Sequence, residues 1–152
     1  MGFFKKTIKD VPIQNQTVLI RVDYNVPLKD GEVDDDLRIR ASLPTLQYLR
    51  DLGCKLVLIS HLGRPEGHDL HYSLEPAAKK LEELIKSPVT FVDDICGDAA
   101  YQAVKKAPQD AIVMFQNLRF DEREEADDSE LAKKIAWASQ AAYFVQDGFG
   151  VV

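Results

Sequence analysis

Lys55-Leu56-Val57-Leu58-Ile59-Ser60-His61-Leu62-Gly63-Arg64-Pro65 decides how the rest of the chain is read. Leu56 to Ile59 are apolar without alternation, the pattern of a strand buried on both faces of a parallel sheet. β-branched Val57 and Ile59, with Gly63 and Pro65 close behind, favour a short strand over a helical segment. The run stops at once in Ser60, His61 and Arg64. Ligands of open α/β sheets sit outside the carboxyl ends of the strands, so His61 and Arg64 fall where a ligand is expected. Read alone, the pair has an ordinary explanation, which is that it solvates a loop.

Working outward, the same kind of apolar block recurs. Thr17 to Val22 reads as a first strand, Val89 to Val92 as a third, Ala111 to Phe115 as a fourth and Ala142 to Val145 as a fifth. Helical patterns separate them: Leu37 to Leu52, Leu74 to Lys86, Asp98 to Lys106 and Ser129 to Gln140. Asp34-Asp35-Asp36 precedes the first helix and suits its positive end, Pro44 is expected to kink or split it, and Gly53 is its stop. Lys29-Asp30-Gly31-Glu32 is a turn by composition. Five strands alternating with helices predict an α/β fold: a doubly wound, Rossmann-like parallel sheet with helices on both faces and right-handed crossovers.

The 152 residues, 45% hydrophobic and 29% charged, suffice for one core and are too few for two ordinary domains. A net charge of -6 argues against general nucleic-acid affinity but not against a small anion held by a local arginine cluster. No apolar run approaches the about 20 residues of a membrane-spanning helix, and Met1 to Lys6 lack the long apolar stretch of a secretory signal. Cys54 and Cys96 fit no metal or redox spacing, so two free thiols in a reducing cytosol are expected.

In a parallel sheet all strand carboxyl ends share one edge. The residues expected there are Asp23 and Asn25, His61 and Arg64, Asp93 and Asp94, Asn117 and Arg119, and Gln146 and Asp147, with Arg38 within reach from the first helix. Guanidinium groups grip phosphate or carboxylate in pairs of hydrogen bonds, and Asp23 and Asn25 could bind a hydroxyl. Together these describe a site for a small acid bearing phosphate and hydroxyl groups. No G-x-x-x-x-G-K-[ST] or G-x-G-x-x-G loop is present. His68 and His71, beside Glu66 and Asp69, have no cysteine partner and read as loop, not as a metal site. Asp121 to Asp128 reads as a solvated acidic loop leading into a helix, and Trp137 as packing.

Five motifs in order resemble the phosphoglycerate kinase family. They are Arg21-Val22-Asp23-Tyr24-Asn25-Val26-Pro27-Leu28, Asp36-Leu37-Arg38-Ile39-Arg40-Ala41 with Leu43-Pro44-Thr45, Ser60-His61-Leu62-Gly63-Arg64-Pro65, Asn117-Leu118-Arg119-Phe120 and Asp147-Gly148-Phe149-Gly150. The resemblance implies reversible phosphoryl transfer in glycolysis between 1,3-bisphosphoglycerate and ADP, giving 3-phosphoglycerate and ATP. It also implies roles. Asp23 and Asn25 bind the substrate's hydroxyl region, His61, Arg64 and Arg119 form the basic cradle, and Arg38 stabilises the transferring group. Gln116 stands where the family usually has Glu, and Gln146 and Gly148 where it usually has Asn and Ala.

The family's domain continues beyond the last strand into a further substrate-binding arginine and histidine, then a second domain that binds Mg2+ with ATP or ADP. Residues 1–152 are therefore expected to be one incomplete, N-terminal substrate-binding domain without the nucleotide-binding domain. Such a chain is expected to be cytoplasmic, inactive alone, free of nucleic-acid and membrane partners, and prone to self-association through an uncovered edge, although full-length members are usually monomeric. The alternatives are a non-catalytic small-phosphate-binding module derived from the fold, and a structural fragment too incomplete to bind.

Overall fold

The computed structural model describes residues 6–147. Gly148, Phe149 and Gly150 of the last motif, and with them the Gly148 departure, lie outside the described residues. Seven strands and four α-helices follow in chain order: β1 (Thr17–Val22), β2 (Leu28–Lys29), β3 (Glu32–Val33), α1 (Leu37–Asp51), β4 (Lys55–Ile59), α2 (Glu75–Ile85), β5 (Val89–Val92), α3 (Asp98–Lys106), β6 (Ile112–Phe115), α4 (Ser129–Ser139) and β7 (Tyr143–Asp147). β2 and β3 form a small antiparallel hairpin around the expected turn. The other five strands form one sheet in the order β5-β6-β4-β1-β7, every pair parallel.

Side-chain alternation along these strands builds two cores. Val18, Ile20, Leu56, Leu58, Ile112 and Met114 pack with Leu46 and Leu49 of α1 and Leu81 and Ile85 of α2. Leu19, Val57, Ile59, Val113 and Phe115 pack on the opposite face with Val104 of α3 and Leu131 and Ile135 of α4. β4 and β6 lie in the middle of the sheet with helices above and below, which is why their sequences carry no polar alternation. The doubly wound, Rossmann-like architecture is the one observed.

Winding direction locates the crevice. From β1 the chain moves through β4 to the edge strand β5 with α1 and α2 on one face. It then returns through β6 to β7 with α3 and α4 on the other. The connections leaving β4 and β6, which are neighbours, therefore depart to opposite faces. That is the topological switch point, where such sheets bind ligands.

One local expectation is corrected and another is made specific. α1 is not split: Pro44 lies inside it, on its solvent-exposed side. The carbonyl of Arg40, which loses its helical partner there, belongs to an exposed residue that water can serve, while Ile39, Leu46 and Leu49 hold the buried side. The helix start is served by Asp35, which accepts from the Leu37 amide at 2.9 Å, whereas Asp36 pairs with Arg40.

Candidate anion-binding site at the switch point

Asn117 ties the crevice together. It follows β6, is completely buried, and uses all four hydrogen-bonding positions of its amide. Oδ1 accepts from the amides of Leu62 at 3.1 Å and Arg119 at 3.0 Å, and Nδ2 donates to the carbonyls of Leu62 at 2.8 Å and Tyr72 at 2.9 Å. The Leu118 amide adds a bond to the Ser60 carbonyl at 3.0 Å. The loop after β4 and the turn after β6 are thereby locked side by side. Asn25, after β1, takes the Gly63 amide at 2.9 Å, and Arg119 donates from Nη1 to the Gly63 carbonyl at 3.0 Å. Gly63 has φ +61°, and a Cβ there would come within 2.5 Å of the Tyr72 ring, so both conformation and space demand glycine.

These bonds involve two of the six expected site residues, Asn25 and Arg119. Arg119 and Arg64 line one cleft of about 790 Å³, together with Glu66, Phe120, Asp121, Glu122 and Glu125. Arg64 is exposed and, among the described residues, has no ion-pair partner. Asp23 accepts from Arg38 Nη1 at 3.0 and 3.2 Å, so the helix-borne arginine is drawn to the end of β1. His61 sits between the two groups and feels the charges of Arg119, Arg21, Glu124 and Asp23. Asp23, Asn25, Arg38 and His61 do not line the cleft of Arg64 and Arg119, whose walls are of mixed sign. Of the six, only Asn25 and Arg119 bond Gly63, and only Arg64 and Arg119 share that cleft.

The contacts of His61 decide which of its ring nitrogens carries the proton. Arg21 Nη2 lies 3.4 Å from His61 Nδ1. A guanidinium can only donate, so Nδ1 accepts and the ring proton belongs on Nε2. Burial first, then the neighbouring Arg119 and Arg21, push the imidazole below its ordinary pKa. His61 thus offers a neutral N–H donor, and the positive charge comes from the arginines.

Several residues at this edge escape sequence reading. Arg21, the polar interruption of β1, donates to Glu124 Oε1 at 2.9 Å. Glu124 Oε2 also meets Arg119 Nε at 3.4 Å, and Glu125 Oε1 meets the same nitrogen at 3.4 Å. Glu124 is only 12% exposed, against 64% for Glu125, so part of the supposedly solvated acidic loop is folded into the site. Its contact with Arg21 spans 103 positions, which no local pattern reports. Gln116 is likewise buried: its Oε1 accepts from the Leu74 and Asn117 amides, and its Nε2 donates to Ser73 Oγ and Asp93 Oδ1. A glutamate here could make neither donation when ionised and only one when protonated, so the amide suits this set of partners.

The remaining strand ends have structural duties. Asp94 accepts from the amides of Ile95, Gly97 and Ala100 and so starts α3. His68 pairs with Asp93 and packs at a tilt against Phe120, whereas His71 pairs with Asp69. Those two histidines therefore turn to different carboxylates. Among the described residues no group of three His, Cys, Asp or Glu side chains converges on a metal position. Among the same residues no helix is long and apolar enough to cross a membrane, and Cys54 and Cys96 are free thiols. Trp137 stacks on Tyr101 at 4.6 Å across the surface of α3 and α4.

Fold and site together define a doubly wound α/β protein with an arginine-rich cluster at its switch point. The sequence profile of phosphoglycerate kinase matches residues 8–152, and the chain belongs to that family. It is 44% identical over 149 residues to phosphoglycerate kinase of Dictyoglomus turgidum, covering 96% of this chain and 37% of that protein. With the enzyme of Fervidobacterium nodosum it shares 46% identity over 147 residues, covering 96% and 36% respectively. Phosphoglycerate kinase from Pyrococcus horikoshii superposes with a TM-score of 0.81 at 34% identity, over 93% of this chain and 36% of that one. The chain thus spans a little over a third of the length of these relatives and corresponds to their N-terminal part.

Proposed function

We propose that this chain supplies the acid-substrate half of a phosphoglycerate kinase, binding 3-phosphoglycerate or 1,3-bisphosphoglycerate at the switch point. The observation that carries the reading is the anchoring of Arg119 on the Gly63 carbonyl, which sets it beside Arg64 in one cleft. Arg64 and Arg119 oppose the anionic groups, His61 donates from Nε2, and Asp23 and Asn25 border the hydroxyl region. Arg38 is 39% exposed and held at one nitrogen by Asp23, leaving the rest of its guanidinium to meet a phosphoryl group. Phosphoryl transfer depends mainly on alignment and on neutralising charge over the equatorial oxygens, and a positioned arginine serves both.

In this reading ATP or ADP binds through a second domain. Mg2+ held with the nucleotide would neutralise phosphate charge there. Residues 1–152 alone lack the domain closure that excludes water and aligns donor with acceptor, so they are expected to be inactive in ATP formation and to reside in the cytosol.

An NMR titration of the chain tests the reading. Shifts near His61, Arg64 and Arg119 are expected with 3-phosphoglycerate and no specific shifts with ATP-Mg2+. Affinity is expected to be about millimolar or weaker, because each missing charge-assisted bond removes roughly 1.5–3 kcal/mol. Arg64→Ala should abolish the shifts without unfolding the protein; unchanged shifts would refute the cradle. Adding a separately produced nucleotide-binding domain and assaying ATP separates a competent half-enzyme from a non-catalytic phosphate-binding module.

A further inference from the structure

We infer that Glu124 is the positioning residue of this site: its carboxylate clamps Arg21 and Arg119 and, through Arg21, fixes the tautomer of His61. The inference rests on the anion-binding reading above and adds to it a residue that touches no substrate. Three features support it. The carboxylate is nearly enclosed and divides its two oxygens between two guanidinium groups, one from β1 and one from the turn after β6. One Arg21 nitrogen, Nη2, has two hydrogens and serves both Glu124 Oε1 at 2.9 Å and His61 Nδ1 at 3.4 Å. Glu124 thereby orients the donor that makes Nδ1 an acceptor and leaves the proton on Nε2. Finally, Arg119 is held twice, by Glu124 at Nε and by the Gly63 carbonyl at Nη1, which limits its rotation.

Glu125 is the internal contrast. It reaches the same Arg119 nitrogen at 3.4 Å but is mostly exposed and, among the described residues, has no second cation. An exposed carboxylate there competes with an incoming anion, whereas an enclosed one shared by two arginines spaces and aims them. Charged groups acting on His61 are Arg21 from β1, Asp23 just beyond it, and Arg119 and Glu124 from the segment after β6. Only Glu124 bonds both of the cations among them.

The test compares Glu124→Gln with Glu125→Gln in the 152-residue chain. Imidazole 15N shifts give the His61 tautomer without any ligand, and titration with 3-phosphoglycerate gives affinity. The parent protein should show the Nε2–H form. Glu124→Gln should populate the Nδ1–H form and bind 3-phosphoglycerate about five-fold more weakly or worse, as expected for loss of an aimed charge-assisted contact. Glu125→Gln should leave the tautomer unchanged and bind equally or more tightly. An unchanged tautomer in Glu124→Gln, or tighter binding in both variants, overturns the inference, because Glu124 would then be a repelling charge only. Should Glu124→Gln fail to fold, Arg21→Gln decides by the same tautomer measurement. If the parent chain shows no binding, the anion-site reading fails while the tautomer still judges the clamp.

Discussion

Replacing Asn117 by alanine removes four hydrogen bonds at a completely buried position and leaves the Leu62 amide and carbonyl, the Arg119 amide and the Tyr72 carbonyl without partners. At roughly 1 kcal/mol net per bond the expected loss is about 4 kcal/mol, falling to about 2 if a water enters the vacated space and serves half of them. A domain of this size has a stability of about 5–15 kcal/mol, so the variant should still fold. Urea unfolding followed by circular dichroism and tryptophan fluorescence measures the difference, with an unchanged m value confirming two-state comparison. Asn117→Asp gives a second reading. It keeps the acceptor but turns a carboxylate toward the Leu62 and Tyr72 carbonyls. Its folded pKa should lie above the unfolded value of about 3.9, so stability returns as pH falls through the folded pKa. A loss below about 1 kcal/mol for Asn117→Ala, where several bonds of that size each are removed, would refute the claim that this amide locks the crevice.

Other outcomes follow from the same geometry. Gly63→Ala should destabilise by about 1–3 kcal/mol, through its positive φ and the contact of a Cβ with Tyr72, and should also weaken 3-phosphoglycerate binding; unfolding and NMR titration measure the two. His61 should titrate below its ordinary value of 6.5. A depressed histidine contributes fully above the unfolded pKa and is lost as pH falls through the unfolded and then the folded value; an NMR midpoint at or above 6.5 contradicts the assignment. Burial raises the Asp147 carboxyl, whose Oδ2 has no hydrogen-bond partner among the described residues. Asp147→Asn should therefore raise Tm at neutral pH by a small amount, worth about 1 kcal/mol or less because solvent screens the half-exposed group. Phe144 is 58% exposed on β7, the last strand of the sheet. Sedimentation should show concentration-dependent association that Phe144→Lys reduces, and a clean monomer at high concentration contradicts this.

The sequence by itself determined the elements. Unalternated blocks such as Leu56–Ile59 and Ile112–Phe115, short and rich in β-branched residues, favour strands covered on both faces, and the helices between them favour parallel pairing. Motif residues Arg64 and Arg119 were legible as a pair because each follows such a block. Strand order was not legible, since nothing local to β6 says that it inserts between β5 and β4. The tertiary structure alone decided what that insertion joins. It sets Asn117 against Leu62, brings Glu124 to Arg21, and lays an arginine nitrogen on Nδ1 of His61. Element identity depends on burial and backbone preference, which neighbouring residues carry. Charge state and aim depend on which distant groups share a desolvated space, and only the closed fold sets that.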